Sequence, residues 1–230
     1  MIELPELKSD KKIIISVGAG INSAFLLKAA KEKYGEDSIV SVFCYLNKNK
    51  HVQYVSRLVK KFNEINDYIG IKNRVILDSY EDFKVGVDNF LDDYHRMSQF
   101  ESFEKICNVS AEYAFIGTDL LDHQVKMIGD ANHTFEYFYK KYPEKCKAIA
   151  EEVAIHSKFQ HIYENSFLKR FESFAEDARI RFPLRKMRKK EITSHMSKEL
   201  INLTYSCTER HHEEHCGKCV GCLRRKYAGA

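Results

Sequence analysis

A glycine-rich turn between an apolar strand and an apolar helix is the feature that most constrains the fold of this chain. The sequence IIISV is followed by GAGINS at residues 18–23, and then by AFLLKAA. Free backbone N–H groups at the start of a helix favour an anion, and in α/β proteins a turn of this kind usually holds a phosphate. The stretch therefore predicts a phosphate-binding loop that follows a buried strand.

The same alternation of strand and helix continues along the chain. We predict strands at Ile13–Val17, Ser38–Tyr45 and Arg74–Leu77, and helices at Ser23–Lys33, closed by Gly35, and at His51–Asn63. A further helix, Phe100–Ala114, is expected to lead directly into a short strand at Phe115–Gly117. Strands that alternate with helices imply right-handed βαβ units. The predicted fold class is α/β, a Rossmann-like parallel sheet flanked by helices, with the loop at the carboxyl ends of the strands where ligands bind.

The second half of the chain is predicted to be mainly helical. Residues His133–Glu176 have a helical, aromatic pattern, and Met187–Leu200 has the pattern of another helix. We expect residues 1–178 to form a nucleotide-binding α/β domain with a helical insertion. Residues 179–230 are then a C-terminal helix and a metal-binding tail that pack on the same domain.

The composition and the N-terminal sequence indicate the cellular compartment in which the protein is expected. The chain has 230 residues, of which 44% are hydrophobic, so one domain with an ample core is expected. It contains no uninterrupted apolar run of about 18 residues, and MIELPELKSD lacks the basic and apolar regions of a signal peptide. We expect a soluble, non-secreted cytoplasmic protein that does not enter a membrane.

Basic residues are concentrated in one segment, although the formal net charge is only +4. The densest cluster is RIRFPLRKMRKK, Arg179–Lys190. Such a cluster is either a solvated helix start or a patch that binds the phosphates of a nucleotide or a nucleic acid.

The C-terminal tail carries a cysteine array of the form C-x8-C-x2-C-x2-C, formed by Cys207, Cys216, Cys219 and Cys222. Four closely spaced thiolates can enclose one tetrahedral Zn²⁺ with Zn–S distances of about 2.3 Å, which makes a closed structural site. An iron–sulfur cluster is the alternative for four cysteines. Disulfides are not expected without a secretion signal.

Other cysteines and nearby histidines have simpler interpretations. Three histidines in the same loop either replace a cysteine as a ligand or are solvated: His211, His212 and His215. The remaining cysteines lie in apolar segments and are predicted to be small core residues: Cys44, Cys107 and Cys146.

The ending LTYSCTERHHEEHCGKCVGCLRR, preceded by FPLRKMRKKEI, resembles the C-terminus of the 7-cyano-7-deazaguanine synthases of queuosine biosynthesis, which are PP-loop ATPases. The matching positions are Pro183, Leu184, Lys189, Glu191, Ile192, Ser206, Cys207, Cys216, Gly217, Cys219, Cys222 and Arg225. Family members also carry a pyrophosphate loop, S-G-G-x-D-S, which corresponds here to Gly18, Ala19, Gly20, Ile21, Asn22 and Ser23. A strand ending in glycine followed by two aspartates corresponds to Gly117, Asp122 and Asp130.

The resemblance implies an ATP-dependent ligase of the adenine-nucleotide α-hydrolase-like fold. Such an enzyme adenylates the carboxylate of 7-carboxy-7-deazaguanine, lets ammonia displace AMP to give the amide, and uses a second ATP to form the nitrile. ATP and Mg²⁺ would bind at loop residues 18–23, with catalytic roles for Asn22, Ser23, Asp122 and Asp130. Zn²⁺ would be structural. The implied partners are these small molecules and a second subunit in a symmetric dimer, whereas a nucleic acid is not expected as the direct substrate.

The loop departs from the family pattern in three places. Gly18 replaces serine, Ala19 replaces glycine and Asn22 replaces the aspartate, and without that charge a Mg²⁺ ion is held less strongly. The proline-x-arginine-asparagine signature expected before Ala114 is also absent from QFESFEKIC. Three functions therefore stay open: the parent ligase, a diverged PP-loop enzyme that activates another carboxylate or modifies a protein or nucleic acid, and a catalytically reduced binding protein.

Overall fold

A computed structural model describes residues 2–44, 52–77, 104–117, 119, 179–207 and 214–230. The strands are β1 (Lys12–Ser16), β2 (Ile39–Cys44), β3 (Arg74–Leu77), β4 (Ala111–Ile116) and β5 (Ile180–Arg181). The helices are α1 (Ile21–Tyr34), α2 (Val52–Ile69), α3 (Lys189–Ser194), α4 (Lys198–Leu203) and α5 (Val220–Tyr227), with a 3-10 turn at Glu36–Ser38.

The five strands form one parallel sheet in the order β3-β2-β1-β4-β5. In the register, Ile14 of β1 lies between Val40 of β2 and Ala114 of β4. The chain crosses from one side of β1 to the other between β3 and β4, so the carboxyl end of β1 is the topological switch point where α/β proteins bind ligands. The Rossmann-like parallel sheet predicted from the sequence is confirmed.

The three middle residues of β1, the central strand, are apolar and buried because both faces of the strand are covered. Ile13 and Ile15 pack with α1, α2 and the C-terminal helices, whereas Ile14 packs on the other face with Cys107 and Ile180. A strand of a parallel sheet that is buried on both faces has this continuous apolar character. Since β5 joins the same sheet, the segment that begins at residue 179 is part of the α/β core.

Two helix predictions are wrong in extent. The predicted helix Phe100–Ala114 is helical at 104–107 and then ends, because Asn108 adopts a left-handed conformation with φ 50° and the N–H of Val109 bonds back to the carbonyl of Glu104 at 3.1 Å. Strand β4 begins only three residues later.

The predicted helix Met187–Leu200 contains α3 and the start of α4, with Ser197 between them. The hydroxyl of Ser197 accepts the N–H of Leu200 at 3.1 Å and so starts a new helix.

The bounds of the predicted strands and of α1 agree with the structure within a few residues. The predicted strand Arg74–Leu77 has the bounds of β3 and is confirmed. Helix α1 ends at Gly35, which has φ 79°. Helix α2 extends six residues beyond the predicted end at Asn63. The predicted helical region His133–Glu176 lies outside the described residues. In the described part of the chain, no helix combines the length and the apolar character that crossing a membrane requires.

Candidate functional site

The loop at residues 18–23 joins the end of β1 to the start of α1. Gly20 is the N-cap residue of α1, and Ala19 before it has φ 60°, a left-handed conformation that is uncommon for alanine. The carbonyl of Ala19 accepts the N–H of Tyr205 at 2.8 Å, so the chain leading to the cysteine tail fixes this turn.

Backbone N–H groups at this turn are available to an anion. Within the part of the chain that the structure describes, the N–H groups of residues 18–23 have no acceptor. The first turn of α1 contains no acidic side chain, and its positive dipole end faces the loop. Several backbone donors and a first helical turn without a carboxylate are features that favour a phosphate group.

The end of β4 lies directly against this turn. A Cβ atom on Gly117 would lie 3.1 Å from the nitrogen of Ser23 and 3.2 Å from the carbonyl carbon of Asn22. Only glycine permits this approach without displacing the start of α1. The predicted glycine at the end of the strand therefore has a packing role at the loop.

A buried polar cluster lies beside the loop and joins four distant parts of the chain. The side chain of Asp119, which is fully buried, accepts three hydrogen bonds or ion contacts through Oδ2. The donors are Nδ2 of Asn22 at 3.2 Å, Nη2 of Arg224 at 2.6 Å and Nζ of Lys189 at 3.3 Å. Lys189 also donates to Oδ1 of Asn22 at 2.7 Å. We call these four residues the Asp119 cluster.

Helix α3 positions Lys189 in this cluster. Lys189 is the first residue of the helix, and the backbone N–H before it, that of Arg188, donates to the carboxylate of Glu191 at 2.7 Å. A glutamate at the third helical position that binds the N-cap N–H is half of a capping box. The lysine and the glutamate of the predicted tail motif thus have separate roles, one at the loop and the other at the helix start.

The sulfurs of Cys207, Cys216, Cys219 and Cys222 all lie within 4.8 Å of one another. Two of the pairs, Cys216 with Cys222 and Cys207 with Cys219, have Sγ–Sγ distances of 3.9 Å. A tetrahedral site with Zn–S bonds of about 2.3 Å requires thiolates about 3.8 Å apart, so the four side chains fit one such ion. The predicted cysteine cluster is brought together, and it could hold a metal ion.

Backbone donors support the sulfurs of this cluster. The N–H groups of Lys218 and Cys219 point at Sγ of Cys216 at 3.4 and 3.3 Å, and the N–H of Cys222 points at Sγ of Cys219 at 3.5 Å. Gly217, with φ 70°, lies in the turn between Cys216 and Cys219. N–H groups aimed at sulfur stabilise thiolate charge, which suits a site for a cation.

His215 is positioned by the tail and does not join the cysteine cluster. Its Nε2 accepts the N–H of Ser206 at 3.2 Å, and its ring packs on Tyr205 with centroids 5.1 Å apart. Burial lowers the pKa of His215, and the charges of Arg225 and Lys61 lower it further, so the neutral ring that accepts this bond is favoured. The other two histidines of the loop, His211 and His212, lie outside the described residues.

The predicted core cysteines differ from one another. Cys107 is buried, and burial raises the pKa of its thiol to about 12, as the core interpretation requires. Cys44 is exposed at the end of β2, so the prediction that it is a core residue is wrong. Cys146 lies outside the described residues.

The two arginines after the last cysteine have different partners. Arg224 reaches the Asp119 cluster, whereas Arg225 donates to Oγ1 of Thr204 at 2.6 Å and to the carbonyl of Ile201 at 2.7 Å. Arg225, which the tail motif contains, therefore holds α5 against the end of α4. Sequence reasoning missed Arg224 and Asp119, and the only local signal for Asp119 is its place two residues after Gly117.

Several predicted site residues are not tested by the described geometry. Asp122 and Asp130 lie outside the described residues. Asn22 and Ser23 are nearly buried at the start of α1, and the hydroxyl of Ser23 donates to the carbonyl of Gly20 at 3.1 Å. Ser23 thus braces the turn.

A surface cavity of about 430 Å³ lies at the other edge of the sheet, near the amino ends of β4 and β5. It is lined by residues of both charges, including Lys8, Glu104, Glu112 and Arg181. Ligands of parallel α/β sheets bind at the carboxyl ends of the strands, so the loop is the stronger candidate site.

The fold and the site define a Rossmann-like α/β protein with a glycine-containing loop at the switch point and a four-cysteine cluster at the C-terminus. The family model described as Queuosine biosynthesis protein QueC matches residues 123–229, somewhat less than half of the chain. The match confirms the resemblance that the C-terminal motif predicts, and over these residues the chain is QueC-like. It supports a PP-loop protein that uses ATP.

Among solved structures, the chain is similar to the U34-tRNA thiolase NcsA from Methanococcus maripaludis with its [4Fe-4S] cluster, with 14% identity and a TM-score of 0.41. The similarity covers 96% of this chain and 66% of the thiolase, so the chain spans just under two thirds of that structure's length. A likeness this weak assigns neither ligand nor reaction. None of the curated proteins matches the chain.

Proposed function

We propose that this protein is an ATP-dependent ligase that converts 7-carboxy-7-deazaguanine, through an adenylate and an amide, to the nitrile. The observation that carries the proposal is the convergence of Lys189 and Arg224 on Asn22 and Asp119 beside the open N–H groups of the loop. The QueC match to residues 123–229 supports the choice of substrate.

The loop binds the pyrophosphate part of ATP. Its N–H groups and the start of α1 donate to the phosphate oxygens, and the ammonium of Lys189, held at Asn22, adds a positive charge next to them. When a carboxylate oxygen of the substrate attacks the α-phosphorus, the bond to the pyrophosphate oxygen breaks and negative charge grows on the leaving group. Donors that are already oriented towards that charge lower the barrier.

The later steps follow from the adenylate. Ammonia attacks the activated carbonyl carbon, AMP leaves with the oxygen that bound it, and the lost proton passes to solvent. A second ATP activates the oxygen of the resulting amide, and departure of that oxygen as AMP, with loss of two protons from nitrogen, leaves the nitrile. We assign recognition of the guanine-like edge to Asp122 and Asp130, because a carboxylate can accept two N–H groups from such an edge.

Metal ions have two different places in this proposal. The four tail cysteines would hold one Zn²⁺, whose closed set of sulfur ligands gives it a structural role. At the loop, Oδ1 of Asn22 contacts the Lys189 ammonium at 2.7 Å and Oδ2 of Asp119 contacts the Arg224 guanidinium at 2.6 Å. These oxygens already face cations, so the described residues fit an anion better than a protein-bound Mg²⁺, and Mg²⁺ would arrive with the triphosphate.

The test is a product analysis of the zinc-loaded protein with ATP, Mg²⁺, ammonium and 7-carboxy-7-deazaguanine. Mass spectrometry follows AMP and the deazaguanine together, and we expect AMP together with the amide or the nitrile. AMP release without a new deazaguanine product would indicate a diverged enzyme with another carboxylate, or a protein or nucleic-acid acceptor. If the folded, metal-loaded protein forms neither product, it is a binding protein and the ligase proposal is wrong.

A further inference from the structure

The loop lacks a carboxylate at its fifth position, yet a carboxylate lies one hydrogen bond away. Asn22 occupies the place of the aspartate in S-G-G-x-D-S, and its side chain is nearly buried, with 8% exposure. Its Nδ2 donates to Oδ2 of Asp119 at 3.2 Å. Asp119 comes from the segment that follows β4, the strand next to β1 in the sheet.

Two cationic side chains contact the carboxylate of Asp119. The carboxylate is fully buried, and an uncompensated buried charge is strongly unfavourable. Arg224 and Lys189 supply two positive charges, with nearly buried side chains that are 5% and 13% exposed. The cluster of four side chains therefore carries one more positive than negative charge.

Lys189 links this charge pair to the loop. Arg224 alone would neutralise Asp119, but the Lys189 ammonium bridges Oδ2 of Asp119 at 3.3 Å and Oδ1 of Asn22 at 2.7 Å. The amide of Asn22 in turn donates to the same carboxylate oxygen. The three groups form a closed triangle, so the position of the ammonium depends on both Asn22 and Asp119.

We propose that Asp119 supplies, from the segment that follows the neighbouring strand β4, the carboxylate that the loop lacks at Asn22, and that it acts as a positioning residue that holds Lys189 at the loop for a pyrophosphate group. The inference rests on the proposed function, because it assigns the anion at this loop to pyrophosphate. Exchanging the amide and the carboxylate between positions 22 and 119 conserves the charge of the cluster and keeps one amide facing one carboxylate.

The experiment compares the zinc-loaded wild-type protein with Asn22→Asp, Asp119→Asn and the exchanged double variant Asn22→Asp/Asp119→Asn. Calorimetry measures the Kd of inorganic pyrophosphate, and urea denaturation of the ligand-free proteins measures the unfolding midpoint. Asp119→Asn removes the carboxylate that Lys189 and Arg224 share, so we expect at least tenfold weaker binding and a lower midpoint. Asn22→Asp puts a second carboxylate at the site, so we expect severalfold weaker binding.

The double variant decides the outcome. We expect its Kd to return to within about threefold of the wild-type value and its midpoint to rise above that of Asp119→Asn, because the charge is restored across the same contact. A double variant that binds as weakly as Asp119→Asn, or an Asn22→Asp variant that binds as tightly as wild type, overturns this inference alone. Failure of the wild-type protein to bind pyrophosphate overturns both the inference and the proposed function.

Discussion

The ammonium nitrogen of Lys189 lies 2.7 Å from Oδ1 of Asn22, although 167 positions separate the two residues along the chain. The contact brings the start of α3 to the start of α1, and it adds a positive charge to a turn whose backbone N–H groups already favour an anion. Lys189 comes from the basic segment Arg179–Lys190, for which the sequence allowed either a solvated helix start or a phosphate-binding patch. In the structure, Lys189 contacts the loop through Asn22, whereas Lys190 next to it is exposed. The two interpretations therefore apply to different residues of the same segment.

Replacing Lys189 by methionine should weaken pyrophosphate binding while the fold is kept. A hydrogen bond to a charged group contributes about 1.5–3 kcal/mol, which corresponds to a Kd roughly tenfold to a hundredfold higher. The matched control is Lys190→Met, which removes the same charge from an exposed position one residue away, and we expect it to change the Kd by no more than about twofold. Calorimetric titration of both variants makes the comparison, and equal losses in the two would mean that only the net charge matters.

Gly117 should tolerate no side chain. Its Cβ would meet the nitrogen of Ser23 at 3.1 Å and the carbonyl carbon of Asn22 at 3.2 Å, and both are backbone atoms that cannot move without shifting α1. We expect Gly117→Ala to lower the free energy of unfolding by about 1–3 kcal/mol, the usual cost of overpacking.

Gly18→Ala is the control for this effect, since a Cβ atom on Gly18 would have no heavy atom within 4 Å. It should change the free energy of unfolding by less than about 0.5 kcal/mol. Urea denaturation of both ligand-free variants measures the difference. A Gly117→Ala protein as stable as Gly18→Ala would show that the start of α1 can move away from β4.

The parts of this site that sequence could predict are those with local signals. β1, the glycine turn and α1 follow one another, and the four clustered cysteines lie within 16 residues, so apolar patterning and spacing are sufficient to predict both features. The Asp119 cluster has no such signal, because its contacts to Asn22 and Arg224 span 97 and 105 residues. These contacts arise because the sheet order places the end of β4 beside β1. The pattern of a single segment does not predict that order.

Local patterning also fails where a short polar motif ends a helix. The apolar residues around Asn108 continue the helical pattern into β4, but the left-handed conformation of Asn108 ends the helix. Ser197 similarly begins a second helix inside what the spacing predicts to be one. In both cases one side chain or one backbone angle outweighs the hydrophobic periodicity on either side.

Zinc should bind in a ratio of one per chain and depend on Cys219. Cys219→Ser removes one of four sulfurs from a site in which folding and metal binding are coupled, so we expect loss of zinc and a melting temperature lower by at least about 4–8 °C, as about 2 kcal/mol would give. Cys44→Ser is the matched control, because Cys44 is exposed at the end of β2 and outside the cluster. Elemental analysis and thermal denaturation give the two readouts.

The same preparation distinguishes zinc from an iron–sulfur cluster. Protein purified without oxygen should be colourless and contain zinc as its main transition metal, because Zn²⁺ has a filled d shell and suits a closed tetrahedral set of four sulfurs. A brown protein with iron and acid-labile sulfide would show that the four cysteines hold a cluster instead. Retained zinc in Cys219→Ser would mean that Cys219 is not a ligand.

Arg225 should contribute to stability and leave pyrophosphate binding unchanged. Its guanidinium donates to Oγ1 of Thr204 at 2.6 Å and to the carbonyl of Ile201 at 2.7 Å, so it holds α5 to the end of α4 and does not contact the loop. Arg225→Met leaves these buried acceptors without a charged donor, and we expect the free energy of unfolding to fall by about 1.5–3 kcal/mol. Lys226→Met, at the exposed next position, should lower the free energy of unfolding by less than about 0.5 kcal/mol.

Urea denaturation of the zinc-loaded variants measures both losses of stability. Calorimetry below the unfolding midpoint should give Arg225→Met a pyrophosphate Kd within about twofold of the wild-type value. A large loss of binding in a folded Arg225→Met protein would show that the tail helix, and not the Asp119 cluster alone, controls the loop.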